Sequence, residues 1–162
     1  MLKHLQYFNF YQNKNLFNSI KSLHLDLGIN YPGLQTKEDL HLNSVLKELT
    51  QKVESTVNGK VNKCWGNITK GKTKINWHTH KNCDLFGVYY LINKQNLGTL
   101  IKVNNEVYKT YSPENSLSIY KHNTLHSSPD SYIEEERCTI AFNIILWILK
   151  IKNTQLLNPL YQ

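Results

Sequence analysis

The chain has 162 residues and a formal net charge of +7, with 19 lysine and arginine residues against 12 acidic ones. The length suits one domain whose core is large enough to fold without disulfide or metal staples. The positive charges are scattered among asparagines, which favours a solvated surface over a nucleic-acid-binding patch. The three cysteines contain no Cys-x-x-Cys pair, so they predict neither a disulfide framework nor a thiolate zinc site and favour a reducing, cytoplasmic setting.

The first sixty residues predict two helices joined by a loop. Apolar residues recur three or four positions apart over 16–23 and again over 42–57, which is typical of amphipathic helices. Asn43 or Asp39 could cap the second helix, and Gly59 would end it. The polar stretch 28–40, which contains Tyr-Pro-Gly, predicts the loop between them.

From residue 61 the pattern changes to short runs of β-branched and aromatic residues separated by turn-forming residues. The predicted strands are 61–68, 74–80, 86–93, 98–103, 106–111, 117–120, a short one near 125, and 137–146. Eight short strands after two helices predict a mainly β fold with N-terminal helices (α+β), a double-stranded β-helix or jelly roll. We expect a single domain over 1–162, with helical support at 1–60, a jelly-roll core at 61–146 and a C-terminal tail at 147–162. The apolar run near 144–149 is far shorter than the ~20 residues of a membrane span.

Three histidines have the spacing of metal ligands. His78 and His80 lie two residues apart at the end of a predicted strand, so their side chains project from the same face. His126 lies on a later predicted strand. Because the second and seventh strands of a jelly roll lie close together, the three imidazoles could converge on one metal ion.

Arg137 is the single arginine in a chain that otherwise uses lysine. A guanidinium can hold a carboxylate through two parallel hydrogen bonds, so Arg137 indicates an anionic ligand. Thr139 shares its strand face and could add a hydroxyl hydrogen bond. The alternative is a structural arginine paired with Glu134, Glu135 or Glu136. Alternation divides this strand into two faces: Arg137, Thr139, Ala141 and Asn143 on one, and Cys138, Ile140, Phe142 and Ile144 on the other.

These motifs resemble those of the iron(II)- and 2-oxoglutarate-dependent oxygenases, and within them a little-characterised group common in bacteria and phages. The resemblance covers residues 33–143 and rests on these segments: Gly33-Leu-Gln-Thr-Lys-Glu-Asp-Leu-His-Leu42, Trp65-Gly-Asn67, His78-Thr-His80, Phe86-Gly-Val-Tyr-Tyr-Leu91, His126 and Arg137-Cys-Thr-Ile-Ala-Phe-Asn143. It implies a double-stranded β-helix in which His78, His80 and His126 bind Fe(II). It also implies that Arg137 binds the far carboxylate of 2-oxoglutarate. The Tyr-Tyr-Leu segment is similar to that of the prolyl hydroxylases, which implies a second contact to this carboxylate from Tyr90.

The implied activity is hydroxylation of an unidentified substrate by dioxygen, with decarboxylation of 2-oxoglutarate to succinate. The protein would supply three facial ligands, open positions for 2-oxoglutarate and dioxygen, and an apolar wall from Trp65, Trp77 or Phe86. The sequence departs from the usual His-x-Asp or His-x-Glu motif at His80, and a neutral third ligand leaves bound iron more positive. Asp84 is the alternative source of a carboxylate, although we expect it in the loop before the next strand.

Two other functions remain open at this point. A cupin-like enzyme would use three histidines for thiol dioxygenation or isomerisation without 2-oxoglutarate, which explains His80 but accounts less well for Arg137. A non-catalytic jelly-roll module, structural or sugar-binding, would explain the missing carboxylate. Loops at 30–39, 93–97 and 104–105 would recognise the substrate, and their polar, unspecific composition leaves peptide prolyl or asparaginyl residues, a nucleobase and a small metabolite open. Among these we favour a protein side chain or a small molecule over a nucleic acid.

Overall fold

The computed structural model describes residues 4–23, 25–27 and 33–147. These residues form helices α1 (Leu16–Lys21) and α2 (Lys47–Val57) and two 3-10 helices, Leu40–Leu42 and Ser44–Leu46. They also form ten strands: β1 (Leu5–Tyr7), β2 (Asp26–Leu27), β3 (Leu34–Gln35), β4 (Gly59–Thr73), β5 (Leu85–Ile92), β6 (Leu100–Val103), β7 (Glu106–Lys109), β8 (Ser116–Lys121), β9 (His126–Ser127) and β10 (Ser131–Leu146).

The strands of the described residues belong to two sheets. The larger has seven strands in the order β1-β8-β5-β10-β4-β3-β2, and the smaller has three in the order β7-β6-β9. Strand β10 is central in the large sheet, where it pairs antiparallel with β4 on one side and with β5 on the other. The predicted mainly β jelly roll with N-terminal helices is confirmed.

Alternation along β10 separates the hydrophobic core from a cavity, as predicted. The residues of one face are buried in a cluster that includes Leu49 and Val53 of α2: Cys138, Ile140, Phe142 and Ile144. The residues of the opposite face line the cavity: Arg137, Thr139, Ala141 and Asn143. Each fully buried aliphatic or aromatic side chain contributes about 1.5–3 kcal/mol to folding. The core face therefore anchors the strand that carries the cavity residues.

Asparagine provides most of the left-handed backbone positions in the described part of the chain. Asn104 and Asn105, with φ of 48° and 66°, form the two-residue connection between β6 and β7. Positive φ at both residues is the pattern of a type I′ hairpin, for which asparagine is well suited. Asn58, with φ of 52°, ends α2 in the same way, and its N–H bonds to the Glu54 carbonyl.

The structure corrects the prediction for the first sixty residues. Both helices are present, but β1 adds to one edge of the large sheet and β2 and β3 extend its other edge. Because these three strands are gained and the predicted strand 74–80 is lost, the count changes from eight to ten. These strands have only two or three residues, too few to show a period. Asn43 accepts the Val45 N–H at 3.0 Å and caps the 3-10 turn before α2. Gly59 does not end the helix but begins β4, where a Cβ would lie 2.7 Å from the Ile145 carbonyl oxygen.

The segment 74–80, predicted as a strand, is not one. Its only bridge pairs His78 with His126, through backbone N–H to carbonyl bonds of 2.9 and 3.0 Å. Side chains replace the missing ladder: the Ile75 N–H donates to Ser128 Oγ at 2.6 Å, and Ser127 Oγ donates to the Ile75 carbonyl at 2.9 Å. The predicted strand is therefore absent because serine side chains bond to the backbone groups that a neighbouring strand would otherwise pair.

Several predictions lie partly or wholly outside the described residues. The predicted C-terminal tail is described only at Trp147, and residues 28–32 of the predicted loop are also outside. No helix within the described ranges is long and apolar enough to cross a membrane. All three cysteines are described, and they are buried and free.

Candidate metal and carboxylate site

Three imidazoles meet at one end of the cavity. The ligand nitrogens of His78, His80 and His126 all lie within 4.8 Å of one another. His126 stands on β9, whereas His78 and His80 follow β4 in the irregular segment. The backbone bridge between His78 and His126 sets the distance between these two segments. The predicted convergence is therefore present even though the strand that was expected to produce it is absent.

Backbone carbonyls orient two of the three imidazoles. Nδ1 of His78 lies 2.8 Å from the Asn76 carbonyl oxygen, and Nδ1 of His126 lies 2.9 Å from that of Thr124. A carbonyl can only accept, so each Nδ1 carries the proton and each Nε2 keeps its lone pair. Such an outer hydrogen bond is typical of metal-binding histidines.

Aromatic rings pack on the faces of two of the imidazoles, His80 and His126. Phe86 stacks on His80 with ring centroids 4.5 Å apart, and on His126 with centroids 4.1 Å apart. Trp65 lies 5.9 Å from His80, and Tyr120 stacks behind Phe86 at 4.9 Å. Rings that are packed on their faces cannot rotate freely, so the ligand nitrogens are held in direction as well as in position.

Burial keeps two of the imidazoles neutral. Desolvation by burial, and then the electrostatic interaction with the nearby His78 ring, lowers the pKa of His80 from 6.5 to about 4. The same two causes lower the pKa of His126 to about 3. Metal ligation requires the neutral imidazole, so protons do not compete for these two side chains near pH 7. Three nitrogen donors of this kind fit a divalent transition-metal ion such as Fe(II), Ni(II) or Zn(II).

Asp84 does not supply the missing carboxylate. Its Oδ2 accepts the Leu146 N–H at 2.8 Å, and its backbone groups bond to Ile144 and His122. Asp84 is also absent from the residues that line the cavity. As expected, it belongs to the approach to β5, and the candidate metal cluster in the described residues consists of the three histidines.

Arg137 lies on the wall of the same cavity. The pairing of β10 with β4 shifts register between Ile133 and Arg137, and such bulges redirect side chains next to sites. The Arg137 Nε donates to Asn93 Oδ1 at 3.0 Å, and one Nη donates to the Leu97 carbonyl at 3.0 Å. A guanidinium has five N–H donors, so the others remain available to a carboxylate.

Two of the three glutamates before Arg137 pair with lysines. Glu135 lies 2.6 Å from Lys94, and Glu136 lies 2.7 Å from Lys21. The ion pairs within the described ranges do not include Arg137. Within the described ranges, Arg137 is therefore not a structural arginine that pairs with a neighbouring glutamate.

Thr139 and Tyr90 both lie near Arg137, but only Thr139 lines the cavity. The Tyr90 ring is fully buried, with its centroid 5.6 Å from the guanidinium carbon of Arg137. Its hydroxyl lies 2.7 Å from Thr99 Oγ1, and Thr99 reaches the cavity. Thr99 lies within the predicted strand 98–103, but its role was not predicted, because only the fold brings it to the Tyr90 hydroxyl.

Buried asparagines form a second group that the sequence analysis missed. Asn93 is 1% exposed, while Asn67 and Asn143 are each 6% exposed and line the cavity. Burying an amide is costly unless it is hydrogen-bonded, so such positions are rarely incidental. Asn143 could have been found, because it shares the strand face of Arg137. Asn93 could not, because its bond to Arg137 joins residues that are 44 positions apart.

The cavity has a volume of about 800 Å³ and opens to solvent. This volume is in the usual range for small-molecule sites. All three residues of the predicted apolar wall line it: Trp65, Trp77 and Phe86. The loops 93–97 and 104–105 do not line it; the first holds Arg137 and the second is the β6–β7 turn.

Neither a family model nor a curated protein matches the sequence. Solved structures match its fold. A prolyl hydroxylase from Trichoplax adhaerens, in complex with a hypoxia inducible factor peptide, is 18% identical; the match covers 96% of this chain and 87% of that one, with a TM-score of 0.66. HygX from Streptomyces hygroscopicus, with nickel, 2-oxoglutarate and hygromycin B bound, is 9% identical; the match covers 90% of this chain and 84% of HygX, with a TM-score of 0.72. SnoN, an α-ketoglutarate-dependent epimerase from nogalamycin biosynthesis, is 5% identical; the match covers 90% of this chain and 78% of SnoN, with a TM-score of 0.74.

The chain has the fold of the 2-oxoglutarate oxygenases. The resemblance drawn from the sequence motifs is therefore confirmed at the level of fold. The three-histidine cluster lies in this fold together with the cavity and Arg137. What the chain does with them is a separate question, because one fold supports several reactions.

Proposed function

We propose that this chain is an Fe(II)- and 2-oxoglutarate-dependent oxygenase that hydroxylates an unidentified substrate. The observation that carries the proposal is Arg137 on the wall of the cavity that also contains the three histidines. Asn93 and Leu97 bind part of the guanidinium and leave its other donors available. A metal-bound 2-oxo acid with a second carboxylate would be held at both ends by such a site.

The residues divide into two groups by role. His78, His80 and His126 would hold Fe(II). Arg137 would bind the far carboxylate of 2-oxoglutarate, and Thr139 would donate its hydroxyl to the same carboxylate. Tyr90, whose ring lies next to the Arg137 guanidinium, would add a further contact there. Iron and dioxygen supply the oxidising chemistry. In the overall reaction the bond between C1 and C2 of 2-oxoglutarate breaks; one oxygen atom enters the substrate C–H bond and the other enters succinate, with release of carbon dioxide.

A peptide side chain or a small molecule is the proposed class of substrate. The Trichoplax adhaerens enzyme holds a peptide, and HygX holds hygromycin B, so this fold accommodates both classes. Trp77 lines the cavity and is 41% exposed, which offers a flat apolar surface to such a ligand. Hydroxylation is the proposed outcome, and the epimerase activity of SnoN is the alternative within this fold.

Succinate formation tests the proposal. The protein is incubated with Fe(II), 2-oxoglutarate, dioxygen and pools of peptides or small molecules, and succinate is measured by mass spectrometry. We expect succinate to equal the 2-oxoglutarate consumed, to require both Fe(II) and dioxygen, and to be lost in Arg137→Ala. Lys94→Ala is the matched control, because it removes an exposed cation that pairs with Glu135 and should leave the rate unchanged.

Two other results would replace the proposal. Consumption of dioxygen with a thiol substrate but without 2-oxoglutarate would establish the cupin-like enzyme, whose three-nitrogen donor set is also matched here. Absence of stoichiometric iron binding would favour a non-catalytic jelly-roll module.

A further inference from the structure

His80 differs from the other two imidazoles in its hydrogen bonding. The rings of His78 and His126 each donate to the carbonyl two residues earlier. The equivalent carbonyl for His80 is that of His78, which already accepts the His126 N–H at 3.0 Å. Within the described ranges no backbone carbonyl bonds to the His80 ring. His80 is partly buried on the cavity wall, so the acceptor for its ring N–H can come from a cavity side chain.

Asn143 has an open acceptor at this place. Its side chain is 6% exposed and lines the cavity, and its Oδ1 is buried without a hydrogen-bond partner of normal geometry. A buried acceptor without a partner is destabilising, so a group that can donate to it is expected close by.

The register of the sheet places Asn143 next to His80. Asn143 pairs across β10 and β5 with Phe86, and the Phe86 ring stacks on His80 at 4.5 Å. Both side chains also line the same cavity. The Asn143 amide is therefore close enough to act on the His80 ring.

We propose that Asn143 is a positioning residue for His80: its Oδ1 accepts one ring N–H and so leaves the other ring nitrogen for the metal. This inference rests on the proposed metal site. It also gives a reason for the acceptor: a histidine at position 80, where related sites have a carboxylate, needs a hydrogen-bond partner that selects its tautomer. A carboxylate can bind with either oxygen, whereas an imidazole must have the correct tautomer, and the partner of its second nitrogen selects that tautomer.

Two substitutions and one matched control test the role of Asn143. Asn143→Leu removes the acceptor at similar volume, and Asn143→Asp keeps an acceptor. Asn67→Leu is the control, because Asn67 is equally buried in the same cavity but its Oδ1 already accepts from Gln35 at 2.8 Å. Cobalt(II) affinity is measured by visible absorption. We expect it to fall about 10- to 100-fold in Asn143→Leu and to stay close to the wild-type value in Asn143→Asp and Asn67→Leu.

Nitrogen NMR of the histidine rings in metal-free protein provides the second readout. Wild type and Asn143→Asp should show His80 as a single tautomer, and Asn143→Leu should show a mixture. If Asn143→Leu keeps both the wild-type tautomer and the wild-type cobalt affinity, Asn143 does not position His80. Should Asn143→Leu not fold, a mixture of tautomers in Asn143→Asp would overturn the inference. A wild type that binds no metal would refute the proposed function, whereas the tautomer measurement would still decide the hydrogen bond.

Discussion

The two ends of the cavity are built differently. At one end, Arg137 stands on the central strand β10 and bonds to Asn93, whose side chain also binds the Leu97 N–H and the carbonyls of Leu97 and Ser112. At the other end, two of the three histidines lie in a segment outside the sheets, joined to β9 by one bridge. The arginine end is thus fixed by backbone pairing and a satisfied amide, while the histidine end depends on ring stacking and single hydrogen bonds.

This difference shows how one cavity can hold two ligands of different chemistry. A carboxylate gains most from a guanidinium whose direction is set in advance, because ordering a flexible side chain on binding costs entropy. A metal ion can draw three nearby rings together, so its ligands tolerate less rigid support. Substitutions at the arginine end should therefore change 2-oxoglutarate binding alone, whereas those at the histidine end should change metal binding first.

The largest expected effect is at the histidine end. His126→Ala leaves too few donors to hold a divalent ion firmly, so we expect iron affinity to fall by more than about 100-fold. Calorimetric titration with Fe(II) under anaerobic conditions measures it. His122→Ala is the control, because His122 is exposed and its ring approaches only the His80 carbonyl, at 3.4 Å. Stoichiometric, tight iron binding by His126→Ala would show that the three histidines do not act together.

A smaller effect is expected at the arginine end. Asn93→Asp places a carboxylate on the Arg137 Nε, and this internal ion pair should compete with the ligand for the guanidinium. We expect 2-oxoglutarate affinity to fall by about 10-fold, or about 1.4 kcal/mol, with iron affinity unchanged. Asn96→Asp makes the same chemical change in the same turn at a position away from Arg137. If the wild type, Asn93→Asp and Asn96→Asp bind 2-oxoglutarate with equal affinity, Asn93 does not orient Arg137.

The last expected effect is on stability instead of ligand affinity, through its pH dependence in metal-free protein. Folding lowers the pKa of His80 to about 4 and that of His126 to about 3, from 6.5 in the unfolded chain. Below pH 6.5 the unfolded chain therefore binds protons that the folded chain does not, and stability falls by up to about 1.4 kcal/mol per histidine per pH unit. Urea unfolding between pH 7.5 and 5 measures the slope. The double variant His80→Gln and His126→Gln should lose most of it, and an unchanged slope would contradict this cause.

The sequence allowed the long strands to be predicted, because their alternation is governed by the core. Cys138, Ile140 and Phe142 pack inward and so set the face that Arg137 presents to the cavity. Strands β1, β2 and β3 could not be predicted, since two or three residues carry no period. Segment 74–80 was mispredicted because Ser127 and Ser128 replace its backbone partners from another part of the chain.

The candidate site was predictable where residue type alone carries the signal. The sequence shows directly that two histidines lie two residues apart and that one arginine occurs among many lysines. Asn93 did not stand out as the hydrogen-bond partner of Arg137, because the two residues are 44 positions apart. Asn143 shares the predicted strand face of Arg137, but nothing in the sequence relates it to His80. Thr99 was missed for the same reason, since only the fold brings it to the Tyr90 hydroxyl.

The most direct test of the central claim is anaerobic titration of the Fe(II)-loaded protein with 2-oxoglutarate, followed by the weak visible band of an iron-chelated 2-oxo acid. The wild type should develop the band, Arg137→Ala should require about 100-fold more 2-oxoglutarate, and Arg137→Lys should fall between them because a lysine keeps the charge but not the fork. Failure of the band to appear with iron bound, or the same titration curve in Arg137→Ala as in the wild type, would contradict the assignment of this cavity to 2-oxoglutarate.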